Sequence, residues 1–109
     1  DVVDATLKLL VEGQPGSTWH LSTTEEISIK KIVQKICLFC NVEFEKIVKV
    51  TDERLGKDQS YLLDSTSIMD EFGWEDKISL NSGLKQTISW VQENYDLLCK
   101  LPWDYVHKI

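Results

Sequence analysis

Arginine occurs once in the 109 residues, as Arg54, and proline twice, as Pro15 and Pro102. Positive charge is the scarcer sign: 12 Lys and Arg stand against 18 Asp and Glu, a formal net charge of −6. Nucleic acids and anionic lipids are gripped through positive charge, so neither a nucleic acid nor a membrane is an expected partner. Three cysteines are too few, and odd in number, for a disulfide framework, so a cytoplasmic location is expected. No apolar run approaches the roughly 20 residues that span a bilayer, and no signal-peptide pattern opens the sequence. The sequence starts at Asp1 without Met and is helical in pattern from its first residues. A piece of a longer protein is therefore expected.

What is present is ordinary for a folded chain. Hydrophobic residues make up 42% and charged residues 28%, which argues against wholesale disorder. The length suits one small domain, residues 1–109, with 101–109 as a C-terminal tail broken by Pro102.

Turn residues punctuate the chain at Gln14-Pro15-Gly16-Ser17, at Gly56 to Ser60 and at Gly73. Between them, Val3, Leu7, Leu10 and Val11 follow helical spacing, with Gly13 suited to a left-handed helix end. Ser28 is an N-cap candidate for a helix carrying Ile29, Ile32, Val33, Ile36 and Cys40 on one face. Asp64 or Ser65 caps a short helix ending at Gly73. Ser79 caps a long one with a buried stripe of Leu84, Ile88, Val91, Tyr95 and Leu98. Thr18 to Leu21 and Ile47 to Val50 read as strands, and Tyr61-Leu62-Leu63 as a third extended piece. The expected fold class is mixed α/β, or α+β: a small, mostly helical subdomain with two or three short strands.

Chemistry-bearing residues are few. Arg54 and Lys57 flank Gly56 in a loop, and a guanidinium fork with a second cation suits a diphosphate. A surface pairing of Arg54 with Asp52, Glu53 or Asp58 explains the same spacing. Cys37 and Cys40 form a CxxC, but a zinc site needs a second tight ligand pair, so they read as core residues and no metal is expected. His20 has no triad-like neighbours and reads as a core or strand histidine. Trp19, Trp74, Trp90 and Trp103 read as core or interface residues. Glu25-Glu26 and Glu75-Asp76 read as solvated acids. Gly13 and Gly16 are followed by Trp19, so no dinucleotide-binding glycine motif exists. No Tyr is followed four residues later by Lys: Tyr61 leads to Ser65, Tyr95 to Cys99 and Tyr105 to Ile109.

The ordered set of motifs resembles a known family. Asp1 to Leu21, through Gly13-Gln14-Pro15-Gly16-Ser17-Thr18-Trp19, resembles the helix, "GxPGxxYNIG" turn and strand of extended short-chain dehydrogenases acting on nucleotide sugars. Glu26-Ile27-Ser28 resembles the family's next helix opening. Arg54 to Tyr61 resembles the "RPGHDxxY" signature of dTDP-glucose 4,6-dehydratases, with Leu55 in place of its Pro and Lys57 in place of its His. Asp64 to Ile68, Phe72-Gly73-Trp74 and Gly83 to Trp90 resemble "D-x-S-K-I…LGW…GLxxTIxW".

The resemblance implies a C-terminal substrate-binding domain whose NAD-binding Rossmann half, with its Tyr-x-x-x-Lys pair, is absent from these residues. It implies a parent lyase in which NAD oxidises the sugar at C4, water leaves across C5 and C6, and hydride returns to C6. It assigns nucleotide-diphosphate contact to Arg54, a neighbouring substrate contact to Lys57, and loop-shaping positions at the same site to Asp58 and Tyr61. The chain alone is then inactive and binds no NAD. A CDP- or UDP-sugar dehydratase or epimerase, or a non-catalytic binding module, stays open. Separated from its other half, such a domain exposes apolar surface, and self-association as a homodimer is expected.

Overall fold

The computed structural model describes residues 1–51, 56, 58, 60–102 and 104. Apolar residues at helical spacing, without internal Gly or Pro, form α1 over Val2–Glu12. The chain continues through α2 (Ile29–Phe39), α3 (Phe44–Ile47), α4 (Thr66–Phe72), α5 (Leu80–Glu93) and α6 (Tyr95–Leu98).

Side chains fix three helix starts. Ser28 Oγ accepts from the Lys31 amide at 3.3 Å, and Ser79 Oγ from the Ser82 amide at 3.3 Å, each satisfying a first-turn donor. At α4 the carboxylate of Asp64 accepts from the Thr66 amide at 2.9 Å. Gly73 ends α4 in the left-handed conformation (φ 59°), where a side chain would be strained. Gly13 ends α1 differently, with an extended backbone (φ −72°, ψ 150°); the left-handed residue of that turn is Gly16 (φ 86°).

Packing gathers around α1 and α4. Ala5, Ile68 and Trp74 form a buried cluster, flanked by Leu9, Trp19, Leu21, Met69 and Phe72. Trp19 meets Phe72 edge-on, with ring centroids 5.0 Å apart. The first residue closes this unit: Asp1's carbonyl accepts from Trp74 Nε1 at 3.3 Å and its carboxylate from the Ile78 amide at 3.0 Å. Separately, α2 packs on α3 and α5, and α5 on α6. Lys35 Nζ, on α2, donates to Asn81 Oδ1 on α5 at 2.8 Å.

The expected mixed α/β fold is not observed. Among the described residues there is no strand and no sheet. Thr18 to Leu21 make no backbone hydrogen bond to another described residue. Ile47 is the last residue of α3, and Tyr61 to Leu63 form no regular element. The physical reason is that β-propensity prepares a segment for pairing, whereas a strand exists only with a partner ladder. Here Trp19 and Leu21 serve as packing instead, flanking the buried cluster.

Other expectations shift by a few residues. Cys37 is the buried cysteine of α2 and Cys40, its C-cap, is exposed, the reverse of the face assigned from periodicity. The long C-terminal helix stops at Glu93, and Asn94 opens α6, so Tyr95 is 62% exposed rather than buried. His20 is exposed. Trp74 is buried and Trp19 half-buried, but Trp90 is 54% exposed, and Trp103 lies outside the described residues.

Candidate functional site

The candidate site is the loop between Thr51 and Tyr61. Of its four expected substrate-binding residues, Arg54 and Lys57 lie outside the described residues. Between them Gly56 adopts φ 77°, a left-handed turn with open space where a Cβ would stand. Asp58 is exposed, and Tyr61 is 84% exposed. Neither forms a side-chain hydrogen bond with another described residue. Neither Asp58 nor Tyr61 lines either of the two clefts described below.

What the fold does fix is the loop's downstream end. The Asp64 carboxylate accepts from both the amide and the hydroxyl of Thr66, the latter at 2.6 Å. These bonds, the hydroxyl's first and the amide's second, hold the Asp64 carboxyl below the usual aspartate range. Next to it, Ser65 is buried, and its Oγ accepts from the Ser22 amide at 2.7 Å and donates to the Ser22 carbonyl at 3.1 Å. The two cap candidates thus divide the work. Asp64 ends the loop and starts α4, while Ser65 ties α4 to the segment after Leu21. Periodicity cannot find the Ser65–Ser22 bond, because it joins residues 43 apart through a backbone group.

Two clefts lie elsewhere. One of about 450 Å³ is lined by Gln14, Ser17, Thr18, Trp19, Ser67 and Glu71. It holds a carboxylate and no cation, the wrong electrostatics for a diphosphate. The second, about 320 Å³, places Lys35 beside Glu25 and Glu26. Those acids oppose an anionic ligand, and Lys35 is already engaged with Asn81.

The structure also argues against a dinucleotide cradle in the Gly13–Gly16 turn. A pyrophosphate is held where glycines lead into a helix N-terminus, whose amides and dipole attract anions. This turn leaves the C-terminus of α1, the opposite dipole end. This turn therefore does not fit the pyrophosphate of a dinucleotide. Among the described residues no cluster of His, Cys, Asp and Glu could hold a metal ion, and no helix is long and apolar enough to cross a membrane. Near the C-terminus a hydrogen bond with the Cys99 thiol, and then its charge, raise the Tyr95 hydroxyl pKa above its ordinary value.

Comparison with known proteins supplies what geometry alone does not. The chain is 31% identical over 100 residues to the dTDP-D-glucose 4,6-dehydratase of Bos taurus, a match covering 87% of the chain and 28% of that protein. It is 30% identical over 94 residues to an Arabidopsis thaliana trifunctional UDP-glucose 4,6-dehydratase/UDP-4-keto-6-deoxy-D-glucose 3,5-epimerase/UDP-4-keto-L-rhamnose-reductase, covering 86% of the chain and 14% of that protein. The chain is a sequence relative of nucleotide-sugar 4,6-dehydratases. The dTDP-glucose 4,6-dehydratase of Xanthomonas campestris extends the set to bacteria, at 29% identity over 103 residues. The chain spans less than a third of the length of these dehydratases. No protein-family model matches the chain, and no solved structure matches it significantly.

Proposed function

We propose that this chain is the substrate-holding part of a nucleotide-sugar 4,6-dehydratase, with Arg54 and Lys57 gripping the diphosphate of a nucleotide-activated glucose. The observation that carries the reading is the match, over most of the chain, to dehydratases named for dTDP-glucose and for UDP-glucose. What those names share is the 4,6-dehydration of a nucleotide-linked glucose; they differ in the base. The common demand on a holding domain is therefore the diphosphate, and Arg54 and Lys57 are chemically suited to it. A guanidinium donates to two oxygens at once, and an ammonium adds a mobile point charge. Asp58 and Tyr61 shape the same loop. Cysteines that are all free suit a reducing cytoplasm.

The reading gives the chain no redox step. NAD and its acid/base pair belong to residues outside this chain, because no part of it matches a dinucleotide loop or carries a Tyr-x-x-x-Lys. The chain on its own binds the diphosphate but turns over no sugar, since binding and chemistry require groups held together in one geometry.

Calorimetric titration of the chain with dTDP, UDP and CDP tests this. Saturable binding is expected, and Arg54→Ala should weaken it by about 1.5–3 kcal/mol, the scale of a hydrogen bond to a charged group. An unchanged dissociation constant in Arg54→Ala would remove that residue from the site. A chain that binds none of the three would remove the reading.

A further inference from the structure

The diphosphate loop rejoins the folded body at Ser65. Alone among the described polar residues, Ser65 is buried, at 6% exposure. Burying a hydroxyl costs free energy unless it is hydrogen-bonded. Ser65 Oγ directs both of its capacities at one distant residue: it accepts from the Ser22 amide at 2.7 Å and donates to the Ser22 carbonyl at 3.1 Å. Ser22 follows directly on Leu21, which with Trp19 flanks the buried cluster. The two bonds therefore brace the start of α4 against a packed segment.

No other described contact does this at the same place. Ile68 is fully buried and holds the body of α4, but it lies further along the helix, and helix ends fray before their centres. The Asp64 bonds to Thr66 are local, so they shape the turn without attaching it to the rest of the chain. Upstream, the loop leaves α3 at Val48, whose amide donates to the Phe44 carbonyl at 3.0 Å. From Lys49 to Leu63, no described residue hydrogen-bonds to another described residue. Arg54 and Lys57 belong to this span. A loop fixed at fewer points samples more conformations, and ordering it on binding costs affinity.

We propose that Ser65 is a positioning residue for diphosphate binding. By bracing Ser22 it fixes the downstream end of the loop that carries Arg54 and Lys57, so less ordering is left for the ligand to impose. This inference rests on the proposed function, which assigns the diphosphate to those two cations, and adds a buried residue that acts on them through the backbone. Affinity and brace are then reciprocally linked: what the brace contributes to binding, binding contributes to the brace.

Titration of the 109-residue chain with dTDP, UDP and CDP, paired with amide hydrogen exchange, tests it. Under conditions where the variants stay folded, Ser65→Ala should raise the diphosphate dissociation constant about three- to tenfold, the range set by one net hydrogen bond. Ser28→Ala removes the cap bond to Lys31 on α2 and controls for lost stability; it should leave the constant unchanged. In the wild type, the reciprocal effect is read on three amides that each donate to a serine hydroxyl: Ser22, Lys31 and Ser82. Saturating diphosphate should slow exchange at Ser22 by about threefold more than at Lys31 and Ser82. That readout needs no variant, so it decides the matter if Ser65→Ala fails to fold. A wild type that binds none of the three diphosphates overturns the proposed function and this inference with it. Binding by the wild type with an unchanged constant in Ser65→Ala, an equal loss in Ser28→Ala, or uniform slowing of the three amides would each overturn the role of Ser65 alone.

Discussion

Asp64 receives two hydrogen bonds from a single neighbour, and both depend on its negative charge. The Thr66 hydroxyl and amide donate to the carboxylate. A proton on that carboxyl weakens both bonds, which is why its pKa lies below the usual aspartate value. The sign of the linkage follows. A depressed folded-state pKa stabilises the fold at pH values above the unfolded value of about 3.9, and the stabilisation is lost as pH falls through the lowered folded value. Urea unfolding at a series of acid pH values should therefore differ between wild type and Asp64→Asn. The gap should be constant at neutral pH and shrink below the ordinary aspartate range. A gap independent of pH would mean that the carboxylate's charge has no part in the cap. Ser65, one residue on, works by geometry instead. Its hydroxyl is buried and fully paired, so it tolerates neither enlargement nor loss as an exposed cap would.

Helix ends are where sequence and structure agree best, because a cap is a local transaction between side chain and nearby backbone. Ser28, Ser79 and Gly73 act as their residue types dictate. Gly73→Ala forces a Cβ into φ 59°, and should destabilise the chain by about 1–2 kcal/mol, readable as a shift in the urea midpoint. Space is no objection there, since nothing lies within 4 Å of where the added methyl would stand, so a neutral substitution would show that the left-handed backbone relaxes. Strands were not legible in the same way. Thr18 to Leu21 has strand-like composition, yet no local signal reports whether a ladder partner exists. Faces of helices fell between these cases. Periodicity found α2 but placed Cys40 rather than Cys37 inside, since the two differ by less than one turn and only the packed neighbours α3 and α5 decide. The candidate site rests on a cation-Gly-cation pattern and a motif resemblance, with Arg54 and Lys57 outside the described residues. The anchors at Asp64 and Ser65 that end the loop were not legible as such, because the Ser65 bond joins distant residues.

Across the whole molecule, little surface is removed from water. The Cα radius of gyration is 17.9 Å, against about 13 Å expected for a compact domain of this length. Relative to an unfolded chain exposing about 18,000 Å², the 10072 Å² of the folded chain implies burial of roughly two-thirds of the usual amount. The urea m-value and the heat-capacity change of unfolding should fall in that proportion below those of an ordinary domain of equal length. A full-sized m-value would mean that the chain closes up in solution. One buried hydroxyl sets a further property of this open architecture. Because Ser65 clasps the backbone of Ser22, everything from Thr23 to Asp64 forms a noose with a fixed neck. Entropy of a closed ring grows only with the logarithm of its contour, so adding five residues within it costs roughly 0.1 kcal/mol. The ring can thus change length while its hydrogen-bonded neck at Ser22 and Ser65 stays closed.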